Sequence, residues 1–422
     1  LCAIGPPRQR KPEPMVTPLG REVQEGEIIP MELLLDHSDD GFDPSNMINH
    51  PDDDPIYASS PTAKNEHELV TVFGRPEFQT MIREVIKEYQ DVFSSTLPEQ
   101  PAKVTPLRFD INAEEWHKPA NQAPHRRQSV SKDIEIYNQV KGMLASNVVE
   151  ESTEACAWSQ VLLTLKTDGK WRFCIDFRQL NQMVQDRGWP LPRIDEVIDR
   201  VGQKHPKFFG KMDLTNGYHQ MPLAKESQKW TAFKTAHGLF QWKRVPMGLK
   251  NAAAHFQQCM ATDVLKGIVN KDCELYIDDI LIHAQTEQDF LKSLKEVLKR
   301  FRLRGLVLSP KKCSFGMNQV EILGHTIDDS GSHFSRDKLE AVFDITLPTT
   351  GSFMHSFLGL TNYYRKHVKG IAGLDQPLRQ LVTKYPGTRK IPWAQYPTEK
   401  QAFYALRKAV AQCPRLFFYD SR

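Results

Sequence analysis

Two adjacent acidic residues lie between apolar runs in the middle of the sequence, and their position suggests metal chemistry. Asp278 and Asp279 separate the runs 273–277 and 280–283, where a tight turn would usually contain Asn-Gly or Asp-Gly. Neighbouring carboxylates at a strand end repel each other unless a cation lies nearby, and Mg²⁺ prefers such oxygen ligands. The alternative is an ordinary solvated Asp-Asp turn, which is the commoner explanation of an isolated pair.

A third carboxylate favours the metal site. Asp213 ends the apolar run 208–213, which lies 65 residues before Asp278 and is followed by Gly217. Carboxylates on two neighbouring strands can hold two Mg²⁺ ions about 3.5–4 Å apart, which activate an attacking 3′-hydroxyl and neutralise the departing pyrophosphate. The acids therefore predict phosphoryl transfer, which requires mainly positioning and charge stabilisation.

Four basic residues fit this chemistry. Lys166 and Arg172 lie on the two strands of a predicted hairpin and could contact a triphosphate, Arg172 through both arms of its guanidinium. Lys311 and Lys312 follow Pro310 and could place an ammonium near the leaving group. The alternatives are exposed hairpin charges for the first pair and a solvated loop for the second.

The elements that must position these residues form a mixed pattern without a regular βαβ repeat, which predicts an α+β fold. Strands are predicted at 160–166, 170–176, 208–213, 230–235, 239–245, 273–277 and 280–283. Helices are predicted over 252–268 and 287–304 and across most of 334–385. Three further helices are predicted to begin at Pro76, after a capping residue at Ser131, and at a capping box that starts with Thr398. The helix after Ser131 is predicted to bury Ile134, Tyr137, Val140 and Leu144.

The charge is unevenly distributed along the 422 residues, whose net charge is +3. Residues 1–60 contain twelve acidic and four basic residues, leaving +11 on the remainder, and they predict a disordered acidic arm. The basic residues of 287–304, 310–312 and 364–369 could form the walls of a cleft for a polyanionic partner. No apolar run is long enough to span a membrane, no secretion signal opens the chain, and the seven cysteines form no CxxC, so we expect an intracellular, cytoplasmic protein.

Six ordered segments resemble the motifs of reverse transcriptases, in the order found in polyproteins of gypsy-like LTR retrotransposons. They are WRFCIDFRQLNQ (171–182), KMDLTNGYHQMPL (211–223), VPMGLKNAAAHFQ (245–257), YIDDILIHA (276–284), LSPKKCSF (308–315) and EILGH (321–325). Met247 and Ala253 depart from the residues that are common in such elements, without removing a charge or a ligand. The resemblance covers roughly residues 75–422.

The resemblance implies a role for each matching residue. Asp213, Asp278 and Asp279 would hold two Mg²⁺ ions, and Lys311 or Lys312 would be the general acid. The nucleotide-binding residues would be Lys166, Arg172, Asn216, Gly217, Met247 and Tyr218, the last as a steric gate that favours dNTPs. Leu323, Gly324 and His325 would support the primer end.

The resemblance also implies a right-hand polymerase fold with fingers, an antiparallel palm sheet and a thumb. The predicted boundaries are an acidic linker (1–74), a connector (75–128), fingers and palm (129–333), a thumb-like segment (334–388) and the truncated start of an RNase H-like domain (389–422). The expected activity is RNA-directed DNA polymerisation on an RNA/DNA template-primer, within a retroelement particle and without RNase H activity. The sequence begins with Leu1 rather than Met, which suggests a fragment or a processed product.

Three other functions compete with this hypothesis. An RNA-templated RNA polymerase shares the palm chemistry, but Tyr218 argues against it. A decayed or domesticated element could bind nucleic acid without catalysis, although the acids, Arg172 and Tyr218 are intact. Asp329-Ser330-Gly331 matches the motif of retroviral-type aspartic proteases, but it follows the predicted primer-grip strand as a turn, which is the wrong context.

Overall fold

A computed structural model describes residues 65–165, 171–334, 336–413 and 416–417. Three predicted features lie outside these residues: the acidic arm over 1–60, the hairpin turn at 167–169, and Lys166.

The described residues form helices and strands in mixed order, which confirms the α+β prediction. The strands are β1 (Thr71–Val72), β2 (Val149–Glu151), β3 (Ser159–Leu165), β4 (Trp171–Asp176), β5 (Phe208–Met212), β6 (Phe233–Thr235), β7 (Gly238–Trp242), β8 (Cys273–Tyr276), β9 (Asp279–Ala284), β10 (Ser314–Met317), β11 (Val320–Ile322), β12 (His325–Ile327), β13 (Gly331–Phe334) and β14 (Leu416–Phe417). The helices are α1 (Pro76–Glu88), α2 (Ala113–Trp116), α3 (Val130–Ala145), α4 (Arg178–Met183), α5 (Ile194–Gln203), α6 (Gly217–Gln220), α7 (Lys225–Gln228), α8 (Ala252–Cys259), α9 (Glu287–Arg304), α10 (Arg336–Phe343), α11 (Gly351–Tyr363), α12 (Ile371–Lys384) and α13 (Pro397–Ala411).

The described residues divide into two compact units. The larger unit contains residues 65–333 and 416–417, with all three sheets and helices α1–α9. The smaller unit contains residues 334–413, where α10–α13 surround their own core of Met354, Phe357, Phe403 and Leu406. The helices of this unit confirm the prediction that 334–385 is mostly helical, whereas the domain boundary at residue 389 stays a prediction.

The central sheet of the larger unit has the strand order β1-β10-β5-β9-β8. Strand β5 lies antiparallel to β9, with Lys211 opposite Leu281 and Met212 opposite Ile280. Helix α9 packs against β5 and β9 of this sheet through a buried apolar stripe at helical spacing. That stripe consists of Phe290, Leu294, Val297, Leu298 and Phe301.

The second sheet has the order β2-β7-β6-β3-β4, and the third the order β11-β12-β13-β14. Strands β3 and β4 pair antiparallel with Thr164 opposite Arg172, which confirms the two strands of the predicted first hairpin. Strands β6 and β7 form a hairpin within the predicted strands 230–235 and 239–245, but they are shorter than expected. Residues 229–231 form a 3₁₀ turn instead, and β7 ends at Trp242.

The buried face of α3 was predicted correctly only at Val140. Ile134, Tyr137 and Leu144 are exposed by 57%, 46% and 37%, and the helix buries Ile136 and Met143 beside Val140 instead. Both sets have helical spacing, so periodicity alone does not decide between them. The helix also begins at Val130, with Ser129 rather than Ser131 at the capping position.

Two other helix ends differ from the sequence prediction. Helix α8 ends at Cys259 and continues as a wider π-helical turn over Met260–Val264, so the α-helix does not reach residue 268. Helix α13 begins at Pro397 without a side-chain cap, because the fixed φ angle of proline suits the first helical position. The predicted capping box at Thr398 is therefore wrong.

An ion pair between the half-buried Arg200 and the buried Glu274 fixes α5 to β8. Both Nε and Nη2 of Arg200 donate to Glu274 Oε2, at 3.1 and 2.9 Å, and the Glu274 side chain is 1% exposed. His283 Nε2 lies 3.7 Å from the other carboxylate oxygen. Glu274 is thus a buried carboxylate whose charge depends on Arg200 for compensation.

Replacing Arg200 by Ala is expected to lower the free energy of unfolding by about 3 kcal/mol, because a buried carboxylate then loses its cation. Chemical denaturation measures this change. The double variant Arg200→Met with Glu274→Leu should recover most of the loss, since an apolar pair needs no charge compensation. Equal losses in the single and double variants would contradict this explanation.

Candidate active site

Strand pairing brings Asp213 beside the turn between β8 and β9. Strand β5 ends at Met212, which lies opposite Ile280, so Asp213 is the first residue beyond the paired strand. Its side chain is only 13% exposed. The acid that ends β5 and the acids of the β8–β9 hairpin therefore meet at one edge of the central sheet, although 65 residues separate Asp213 from Asp278.

The turn contains only one of the two adjacent acids. Tyr276 pairs with Asp279, so the two loop residues are Ile277 and Asp278, and Asp279 is the first residue of β9. The prediction that Asp278 and Asp279 form the turn is therefore wrong by one position. Ile277 occupies the left-handed region with φ of 51°, which is unusual for a β-branched residue.

Two lysines lie near the carboxylates. Lys312 Nζ is 3.8 Å from Asp213 Oδ1, and Lys211 Nζ is 3.5 Å from Asp279 Oδ1. Lys311, in the same 3₁₀ turn as Lys312, is exposed. The sequence could not choose between Lys311 and Lys312, and the structure places Lys312 at the acids. The sequence analysis missed Lys211. Lys211 lies two residues before Asp213, and residues at this spacing on an extended segment point to the same face, so it could have been predicted near the acids.

The acids at this sheet edge supply oxygen donors, and the backbone of Gly217 lies close to one of them. A Cβ atom added at Gly217 would lie 3.1 Å from the Phe256 ring and 3.6 Å from Asp278 Oδ1, so the Gly217 backbone approaches the carboxylate closely. Hard oxygen donors at such an edge are the ligands that Mg²⁺ prefers. Among the described residues, no three acidic, histidine or cysteine side chains are already clustered around a point, so the acids would have to converge on an ion.

Asn216, Gly217 and Tyr218 follow Asp213 in a tight segment, in which Asn216 and Gly217 are buried and Tyr218 is half-buried. Asn216 has φ of 46° and precedes the short helix α6. The ring of Tyr218 packs against Phe256, with ring centroids 5.5 Å apart. Burial raises the pKa of Tyr218 well above its usual range, and the Asp278 charge raises it further. The Tyr218 hydroxyl therefore stays neutral well above physiological pH.

The remaining predicted nucleotide residues lie on other elements. Arg172 is half-buried on β4 of the second sheet. Met247 lies in the loop before α8 and is 45% exposed, which is unusual for a large apolar side chain.

The predicted primer-grip residues form the turn of a hairpin. Ile322 pairs with His325, which leaves Leu323 and Gly324 as the two loop residues. Both have positive φ, 52° and 80°, and glycine adopts this conformation without a steric cost. His325 is buried beside them.

The protease-like motif forms a turn between β12 and β13. Asp328 Oδ1 accepts hydrogen bonds from the backbone N–H groups of Ser330 and Gly331, both at 3.0 Å. Asp329 is exposed. The turn expected from the sequence context is confirmed, and the Asp-Ser-Gly tripeptide is explained by its local hydrogen bonds.

Several basic residues of α9 bind to their own chain. Lys295 Nζ lies 3.2 Å from Glu88, Arg300 Nε donates to Glu296 at 2.7 Å, and Arg302 pairs with Asp91. Lys292 and Lys299 are exposed. The prediction of a basic wall along this helix therefore rests on fewer cations than the sequence contains.

None of the described helices is long and apolar enough to cross a membrane.

Comparisons with known proteins agree with the motif assignment. Residues 164–327 match the family "Reverse transcriptase (RNA-dependent DNA polymerase)". The chain is 32% identical over 288 residues to the retrovirus-related Pol polyprotein from transposon 297 of Drosophila melanogaster, covering 67% of this chain and 27% of that protein. It is 27% identical over 371 residues to the transposon Tf2-3 polyprotein of Schizosaccharomyces pombe, covering 86% of this chain and 26% of that protein. The chain thus spans about a quarter of these relatives.

Solved structures share the fold. A foamy viral protease-reverse transcriptase in complex with double-stranded DNA aligns with a TM-score of 0.71 and 23% identity, over 84% of this chain and 61% of that one. The foamy viral protein in complex with an RNA/DNA hybrid aligns with a TM-score of 0.69 and 22% identity, over 83% of this chain and 46% of that one. These alignments confirm the predicted polymerase fold class.

Proposed function

The chain carries a reverse transcriptase domain related to those of LTR-retrotransposon polyproteins, and we propose that it is an RNA-directed DNA polymerase. The observation that carries the proposal is the pairing of β5 with β9, which brings Asp213 to the turn that contains Asp278. Acids that meet at one sheet edge provide the charge that a two-metal phosphoryl transfer requires.

We assign two Mg²⁺ ions to Asp213, Asp278 and Asp279. When bound, such ions activate the primer 3′-hydroxyl and stabilise the charge on the leaving pyrophosphate. Asp213 and Asp278 supply the charge at the sheet edge. Asp279 already lies near Lys211, which neutralises part of its charge. Lys312 is the candidate general acid, because its ammonium lies beside Asp213, whereas Lys311 points to solvent.

The nucleotide site is assigned to Asn216, Gly217 and Tyr218 at this edge, together with residues that the motifs indicate elsewhere in the chain. The Asn216 and Gly217 backbone would offer amide donors to the triphosphate, and Arg172 would grip its oxygens together with Lys166. Met247 would contact the nucleotide through its exposed side chain. Tyr218 would exclude the ribose 2′-hydroxyl with its ring, which the packing against Phe256 holds in place.

Replacing Tyr218 by Ala is expected to raise incorporation of ribonucleotides relative to deoxynucleotides by about 10- to 50-fold. The physical reason is the removal of a steric clash, which typically costs 1–3 kcal/mol. Competition between dNTP and NTP during extension of one primer measures the ratio. Tyr218→Phe is the matched control and should keep the discrimination, since the ring remains. An unchanged ratio in Tyr218→Ala would remove the gate argument.

The template-primer and the primer end complete the proposal. The foamy viral structures contain double-stranded DNA or an RNA/DNA hybrid, and the shared fold supports a similar duplex here. Leu323, Gly324 and His325 would support the primer terminus through the β11–β12 turn. We place this activity in the cytoplasm, within a retroelement particle.

Primer extension on an RNA template, with dNTPs and with or without Mg²⁺, tests the function. We expect extension only with Mg²⁺ and with a preference for dNTPs. Preferential use of NTPs would favour an RNA polymerase instead. Tight, salt-dependent binding of the duplex without extension would favour a nucleic-acid-binding protein that has lost catalysis.

A further inference from the structure

Gln257 is a buried glutamine on α8 whose side chain bonds to the backbone around the acid turn. Its Oε1 accepts a hydrogen bond from the N–H of Ile277 at 2.6 Å, and its Nε2 donates to the carbonyl oxygen of Leu275 at 3.2 Å. The side chain is 4% exposed. One amide group therefore joins the end of β8 to the first residue of the turn.

The turn needs such a restraint. Ile277 is β-branched and has φ of 51°, a conformation that persists only where the surroundings enforce it. Its side chain is 3% exposed, and its N–H bonds to Gln257 Oε1. Without this acceptor the turn would have a buried, unsatisfied N–H and a strained φ, and both would favour rearrangement. Asp278 is the next residue, so its carboxylate would move with the turn.

The same helix also supports the other acid-bearing segment. Phe256, the residue before Gln257, lies against Gly217 and packs on Tyr218. Consecutive residues of α8 thus contact the segment after Asp213 and the turn that contains Asp278. A site supported by a helix is held more exactly in place than one supported by loops.

We propose that Gln257 is a positioning residue, which holds the Ile277–Asp278 turn so that the Asp278 carboxylate can ligate a metal. Gln257 touches neither substrate nor ion in this role, and it acts through the backbone of residues 275–277. The kinetic part of the inference rests on the proposed polymerase function, whereas the hydrogen-bonding part does not.

Replacing Gln257 by Leu is expected to lower kcat for primer extension by roughly 10- to 100-fold, since misplacing a reacting group by about 1 Å can cost 100-fold. The KM for dNTP should change little, and half-maximal rate should need more Mg²⁺. Amide hydrogen exchange at Ile277 should become faster. Gln257→Glu keeps an acceptor for the Ile277 N–H, so it should recover part of the rate and of the protection.

Gln258→Leu is the matched control, because Gln258 is exposed on the same helix and should leave both measurements unchanged. The inference is overturned if Gln257→Leu matches this control in kcat and in Ile277 exchange. It is also overturned if kcat falls without faster exchange at Ile277, or if Gln257→Glu is as impaired as Gln257→Leu. If the wild-type protein extended no primer, the proposed polymerase function would fail. Hydrogen exchange would still test the positioning role of Gln257, because unchanged exchange at Ile277 in Gln257→Leu would overturn it.

Discussion

Replacing Asp278 by Asn is expected to lower the rate of primer extension by about 1,000-fold or more, because a metal ligand is worth several kcal/mol of transition-state stabilisation. Asn keeps the shape of the side chain and removes only its charge. The fold should survive, since losing one of several adjacent negative charges relieves repulsion. Single-turnover extension with saturating Mg²⁺ measures the rate, and thermal unfolding measures the stability.

Asp329→Asn is the matched control for this prediction. Asp329 is an exposed acid in the turn between β12 and β13, so its loss should leave extension unchanged. If Asp278→Asn extended primers as fast as this control, the assignment of the metal site would fail. A variant that lost activity only because it unfolded would show a lowered unfolding temperature.

Replacing Lys312 by Ala is expected to lower kcat by about 100-fold, whereas Lys311→Ala should stay within about 2-fold of wild type. General acids typically contribute at least this much to a proton transfer. The structure separates the two neighbours, since Lys312 Nζ lies 3.8 Å from Asp213 and Lys311 is exposed. Pre-steady-state measurement of single-nucleotide addition provides the rates.

Lys312→Arg distinguishes proton donation from simple charge. Arginine keeps the positive charge but gives up a proton far less readily than lysine. A rate close to that of the Ala variant would support general-acid catalysis, and a rate close to wild type would indicate a purely electrostatic role. Equal losses in the Lys311 and Lys312 variants would contradict the assignment of Lys312.

Much of the fold was predictable because its signals are local. The apolar runs of β5, β8 and β9 are strands, and the stripe of α9 is buried as its spacing indicates. The resemblance to reverse transcriptases is confirmed by the family match over residues 164–327. The face of α3 was not predictable, because two apolar sets have the same helical spacing and only packing against the rest of the unit chooses one.

The chemistry of the candidate site was predictable from the sequence alone. The sequence contains three carboxylates at the ends of apolar runs, in motifs whose order indicates a polymerase. The tertiary structure decided which residues surround them: Lys312 rather than Lys311, Lys211 beside Asp279, and Gln257 at the Ile277 turn. Residue type and local spacing specify what a side chain can do. Contacts between residues far apart in sequence arise only when strands pair and helices pack against them.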